Sequence, residues 1–116
     1  AKPEETQPYY YLGVVQDIQM RPDQAIQTYQ TLLKLDPQNV GAWNNLGAFY
    51  MNAGQLSQAT KAYQHSLKLA PNNPTGLWGQ LVIEGLTGHA DPKSPKLREA
   101  LRRHPKDPRL QALAHQ

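Results

Sequence analysis

Trp43-Asn44-Asn45-Leu46-Gly47-Ala48-Phe49-Tyr50, followed by Gly54, Ala59, Tyr63 and Pro71, is the stretch that decides how this chain folds. Trp43, Leu46, Gly47 and Tyr50 recur at steps of three and four, which places them on one face of a helix. Ala59, Ala62, Tyr63, Ser66 and Leu67 do the same for a second helix. Gly47 and Ala59 are small where two such helices must approach closely, and the large side chains beside them fill the remaining volume. Gly54 suits a helix C-terminus, where a positive φ costs glycine little. Pro71 ends the second helix, and the unit reads as a hairpin. Working outward, the chain matches itself when Tyr9 is laid on Trp43. Leu12 and Gly13 then fall on Leu46 and Gly47. Ala25, Tyr29, Leu33, Leu35 and Pro37 fall on Ala59, Tyr63, Leu67, Leu69 and Pro71. A third, degenerate copy opens at Pro74 and keeps Gly88, Ala100 and Pro105 in register.

The pattern resembles the tetratricopeptide repeat, whose period is about 34 residues and whose signature is W-x2-L-G-x2-Y…A-x3-F…P. The central copy carries the signature whole. In the first, Gln16 replaces the second aromatic and Met20 stands where Gly54 ends the helix. In the third, Lys93 and Leu97 replace the small and aromatic residues of the second helix. The resemblance covers roughly residues 6–107. It implies an all-α, right-handed α-solenoid of about three hairpins, one domain over 1–116, with repeats at about 6–39, 40–73 and 74–107. Residues 108–116 are offered as a C-terminal capping helix. Helices are expected near 8–19, 22–35, 40–53, 56–69, 74–87, 95–104 and 108–115.

The third unit is interrupted by His89-Ala90-Asp91-Pro92-Lys93-Ser94-Pro95. Two prolines three apart do not fit a helix interior. Its second helix should start late, with Ser94 as N-cap and Pro95 in the first turn, Asp91-Pro92 being a competing start. Leu97, Ala100 and Leu101 then share a face, and Leu110 and Leu113 can cover the end of the stack.

Composition narrows the function. There is no cysteine, which removes disulfides and thiolate metal sites. No apolar run approaches the ~20 residues that span a bilayer. The chain starts at Ala1, which points to a processed or excised form. Its glutamine-rich, cysteine-free make-up is compatible with the cytoplasm or with a bacterial periplasmic or envelope-tethered setting. No catalytic or metal-binding constellation is readable: His65, His89, His104 and His115 stand apart, and no hydrolase, zinc or phosphate-loop motif occurs. The chain is therefore read as a non-enzyme with neither metal nor cofactor.

The resemblance implies that the first helix of each hairpin lines a concave groove. Its groove positions map onto Tyr10, Val14, Asp17 and Ile18 in the first unit, and Asn44, Asn45, Ala48, Met51 and Asn52 in the second. The third contributes Trp78, Val82 and Leu86. Tyr10 and Trp78 stand out as large aromatics on a wall meant for water. The set is mostly apolar, with asparagines able to pair with a peptide backbone. Repeats that clamp the acidic tails of heat-shock chaperones use cationic and amide side chains. Here only Asn45 matches, with Tyr10, Val14, Thr75 and Gly79 at the other clamp positions, so no such binding is expected. The implied function is a scaffold that takes a partner's apolar or amphipathic peptide or helix and helps assemble or tether a protein complex. Self-association is open to it, since an apolar groove can accept a neighbouring copy's terminal helix.

The rival reading is an anion-binding module for nucleic acid or anionic lipid, acting through residues 93–109. Lys96, Arg98, Arg102, Arg103, Lys106 and Arg109 give this stretch more positive charge than the chain's net +3. No aromatic is interleaved for base stacking, which makes nucleic acid the weaker partner class.

Overall fold

The computed structural model describes residues 3–88 and 94–115, and across those residues it consists of seven α-helices and no strand. They are α1 (Pro3–Ile18), α2 (Pro22–Leu35), α3 (Val40–Asn52), α4 (Leu56–Leu69), α5 (Pro74–Leu86), α6 (Pro95–Arg103) and α7 (Pro108–Ala114). α1 packs antiparallel on α2 and α3 on α4, while α2 meets α3 and α4 meets α5. The result is an α-solenoid, 41 × 26 × 21 Å in extent, whose first helices α1, α3 and α5 stand side by side. No helix of the described residues is long and apolar enough to cross a membrane.

Two tyrosines wedge the hairpins together. Tyr29 and Tyr63, at equivalent positions of successive repeats, are both fully buried. Tyr63 lies so close to α3 that a Cβ on Gly47 would come within 2.8 Å of its ring, and one on Gly79 of α5 would overlap it. Tyr29 crowds Gly13 of α1 in the same way. Around Tyr29, Ala25, Ile26, Leu32, Leu33, Ala42, Leu46 and Phe49 close a continuous core. Ala59, Tyr63 and Ile83 form a smaller one further along.

The expected helices are present, with one displaced start. α1 begins at Pro3 and runs through Pro8. Glu4 and Glu5 favour this earlier start, since they oppose the positive end of the helix dipole. Pro8 leaves one carbonyl of the first turns without its helical partner, and that turn is exposed to water. Ser94 caps α6 by accepting the Leu97 N–H at 3.1 Å, as read from the sequence; the competing Asp91-Pro92 start lies outside the described residues. Leu97 and Ala100 are buried, and Leu110 of α7 is fully covered against the end of the stack.

Helix ends repeat with the same period. Met20, Gly54 and Gly88 follow the first helix of each pair and adopt φ of 60°, 77° and 82°. Glycine accepts this conformation freely, whereas Met20 is an L-residue held in it with 87% of its surface exposed. Left-handed backbone costs an L-residue about 1–2 kcal/mol, and glycine returns about 0.5–1 kcal/mol of that through its freer unfolded chain. Met20→Gly should therefore stabilise the fold by about 0.5–1 kcal/mol. The check is a thermal melt followed by circular dichroism, with a midpoint a few degrees above that of the parent.

Candidate groove along the first helices

Equivalent positions of α1, α3 and α5 fall into rows across the wall that these helices form. Val14, Ala48 and Val82 make the middle row, and all three are half-buried. Ile18, Asn52 and Leu86 make the row at the helix C-termini, with Ile18 74% and Leu86 63% exposed. Asn52 donates its amide to both carboxylate oxygens of Asp17 at 3.1 and 3.3 Å, tying α1 to α3 along this edge. Met51 is half-buried and packs against the Ala59, Tyr63 and Ile83 cluster, so it belongs partly to the core.

At the N-terminal row the residues differ in kind. Tyr10 is half-buried, with its ring 5.4 Å from that of Tyr29, and its carbonyl accepts the Tyr29 hydroxyl at 2.8 Å. Asn45 donates its amide to the same hydroxyl at 3.1 Å. Burial pushes the Tyr29 phenol up in pKa, against the Asn45 hydrogen bond. Trp78 is covered in part by the Arg109 guanidinium, 5.3 Å above its ring. Arg109 also donates to the Thr75 hydroxyl at 3.0 Å and pairs with Asp107 at 3.4 Å. α7 therefore overhangs one end of the wall.

Asn44, expected on the groove, lies between helices instead. It is 8% exposed. Its amide donates to Asn73 Oδ1 at 3.1 Å, and its carbonyl accepts the hydroxyl of the fully buried Ser66. A polar side chain at a packed junction is held where its hydrogen bonds can be met, and here they come from α4 and from the cap of α5.

The basic segment is partly neutralised by acids of the chain. Lys96 pairs with Glu84 at 3.0 Å, and Arg102 and Arg103 both hold Glu99. Those hydrogen bonds, Arg102's foremost, keep the Glu99 carboxyl below the usual carboxylate range. With Arg109 occupied over Trp78, only Arg98 and Lys106 of the six are without an ion pair among the described residues. His104 sits at the end of α6 with Nε2 2.6 Å from the Asn72 carbonyl. On the opposite side of the central pair, His65 stacks on Trp43 with ring centroids 4.2 Å apart. No cluster of metal-ligating side chains occurs among the described residues.

One feature was not expected from the sequence. A cleft of about 400 Å³ opens between α5 and α6, with Leu77, Leu81, Pro95 and Ala100 as its apolar lining and the Glu84–Lys96 pair at its edge. Pro95, the first residue of α6, forms part of the cleft wall; α4 starts at Leu56, whose equivalent one repeat on is position 90, so α6 starts later in its repeat than α4 does.

A family model described as Tetratricopeptide repeat matches residues 19–77. A chloroplast protein of Arabidopsis thaliana, the tetratricopeptide repeat domain-containing protein PYG7, is 37% identical over 67 residues, covering 58% of this chain and 22% of its own length. The peroxisomal targeting signal receptor of Candida glabrata is 36% identical over 50 residues, covering 43% of this chain and 8% of the receptor. The chain thus spans less than a quarter of either relative. Among solved structures, the type III secretion translocator chaperone SycD of Yersinia enterocolitica superposes with a TM-score of 0.87 at 17% identity, over 98% of this chain and 92% of that one. PcrH, in complex with the chaperone binding region of PopD, superposes with a TM-score of 0.81 at 23% identity, over 99% and 86%. At these identities the likeness is one of fold.

Proposed function

This chain belongs to the tetratricopeptide-repeat family, and from that premise we propose that it binds a peptide or amphipathic helix of a partner protein along the wall of α1, α3 and α5, helping to assemble or tether a multiprotein complex. The general role of protein–protein interaction agrees with the family and with neighbours captured beside protein partners. The observation that most supports the finer reading is the pair of rows Val14–Ala48–Val82 and Ile18–Asn52–Leu86. Half-buried and exposed apolar side chains recur there as a strip with an amide set into it. Such a strip suits the apolar face of a helix, with Asn45 and Asn52 near enough to meet backbone groups of an extended segment. Because the wall is pre-shaped by packed helices, little ordering entropy is lost on this side of the complex. The reading assigns the chain no catalysis.

Binding of nucleic acid or lipid through the basic segment has less support, because four of its six cations already have partners within the chain. Photo-crosslinking tests the groove. A benzophenone side chain placed at Val82 or Leu86 should yield partner adducts in the source cell, while one at Lys61 on α4 should not. Adducts formed only from Lys61 would move the site off the groove.

A further inference from the structure

The end of the solenoid opposite α7 is apolar. Eight large hydrophobic residues are exposed among the described residues, and five of them belong to α1 and the turn after it: Tyr11, Leu12, Val15, Ile18 and Met20. Tyr11, Leu12, Val15 and Ile18 follow helical spacing and form a stripe on the outer face of α1, at the end of the stack, with Ile18 bordering the groove. The repeat itself says what such a face is for. Leu12 and Val15 correspond, one repeat on, to Leu46 and Phe49 of α3, each 3% exposed beneath the preceding helix α2. In α1 the same positions are 48% and 47% exposed.

We propose that this stripe is the contact through which two copies of the chain associate, α1 against α1 in antiparallel register, beyond the groove and sharing only Ile18 with its rim. Two observations select this occupant. Among the described residues the other end of the stack shows no matching stripe: Leu110 is fully buried, Leu101 and Leu113 are half-buried, and the exposed residues of α6 and α7 are charged, polar or small. Head-to-tail stacking would offer Val15 and Leu12 no matching stripe, whereas a second α1 meets them with an identical one, the self-complementary arrangement of a two-fold dimer. Charge then fixes direction. Glu4 and Glu5 are exposed at the start of α1 and Arg21 is exposed just beyond its end, none of them in an ion pair among the described residues. Antiparallel pairing centred near Leu12 brings the two acids of one copy beside Arg21 of the other. Parallel pairing would place acid against acid.

Sedimentation equilibrium on this chain, from micromolar to near-millimolar concentration, tests the proposal. The expected result is a reversible monomer–dimer equilibrium that stops at two copies. Leu12→Glu/Val15→Glu should weaken it by ~100-fold or more while the helical circular dichroism is unchanged. Leu86→Glu, on the groove wall, should leave the dimer intact. Glu5→Arg and Arg21→Glu should each weaken it, and their combination should restore it. A monomer throughout, a mass that climbs past two, or a dimer that survives the α1 substitutions would overturn the proposal. So would one that dissolves with Leu86→Glu, and a combined charge reversal no better than its parts would overturn the antiparallel register.

Discussion

Replacing Tyr29 by alanine is expected to lower the free energy of unfolding by about 3–5 kcal/mol, the usual cost of emptying a buried aromatic site. For a domain whose total stability is about 5–15 kcal/mol, that removes a large part of the whole. The ring is fully buried, stands 4.8 Å from Phe49 at a near-perpendicular angle and tilts against Tyr10, so it fills the space shared by α1, α2 and α3. A gentler pair of substitutions separates ring from hydroxyl. Tyr29→Phe keeps the ring but removes a donor to the Tyr10 carbonyl and an acceptor for Asn45, which should cost about 1 kcal/mol. Tyr63→Phe should go the other way. Tyr63 is as deeply buried, but its hydroxyl has no hydrogen-bond partner among the described residues, and burial pushes its pKa up to about 12. Removing an unpaired buried hydroxyl should leave stability unchanged or raise it by up to about 1 kcal/mol. Two partners separate the sites: where Asn45 meets Tyr29 the equivalent position of the next repeat is Gly79, which has no side chain to offer, and the Tyr63 hydroxyl has no bond matching the one Tyr29 makes to the Tyr10 carbonyl. Urea unfolding of the three variants measures the differences. Equal losses for Tyr29→Phe and Tyr63→Phe would show that both hydroxyls are paired.

That contrast also shows what the sequence could and could not disclose. The hairpins were legible because glycine and proline fall at fixed places in the period, and those residues act on the backbone where they stand. α2 and α4 accordingly occupy the residues expected of them. Local chemistry likewise announced Ser94 as the cap of α6. Asn44 differs from its equivalents, Tyr10 and Trp78, which are half-buried where it is buried, and periodicity assigns one fate to all three. What turns Asn44 inward is the meeting of Ser66 and Asn73 at the next junction, a condition on three elements at once. The charge count of the basic segment suffered in the same way, since Glu84, which pairs with Lys96, comes from another element. One signal was present and unread. Asn39, Asn73 and Asp107 stand one repeat apart, and each caps the helix that follows it.

Those three caps do not contribute equally, and the largest loss from a single polar substitution is expected at Asn73. Asn39 accepts the Ala42 N–H at 3.0 Å, so Asn39→Ala should cost what an N-cap ordinarily contributes, about 1 kcal/mol. Asn73 accepts the Gly76 N–H at 2.7 Å in the same manner, but its side chain is also the hub of the buried network. Its amide donates to the Ala70 carbonyl at 2.7 Å and to the Ser66 hydroxyl at 3.0 Å, and its oxygen takes the Asn44 amide. Asn73→Ala therefore removes a cap and leaves Asn44 with an unpaired amide in a site that is 8% exposed. Adding about 1–3 kcal/mol for the orphaned group to the cap gives a loss of about 3 kcal/mol. Asn73→Ser retains a capping oxygen without the amide and should fall between, at about 2 kcal/mol. Chemical denaturation of the three variants resolves the two contributions. If Asn73→Ala costs no more than Asn39→Ala, the network between α3, α4 and α5 adds nothing, and apolar packing around Tyr63 alone joins the second hairpin to the third. If the ordering holds, the junction is fixed by polar groups that can be satisfied in one arrangement only, which sets the angle at which α5 continues the wall begun by α1 and α3.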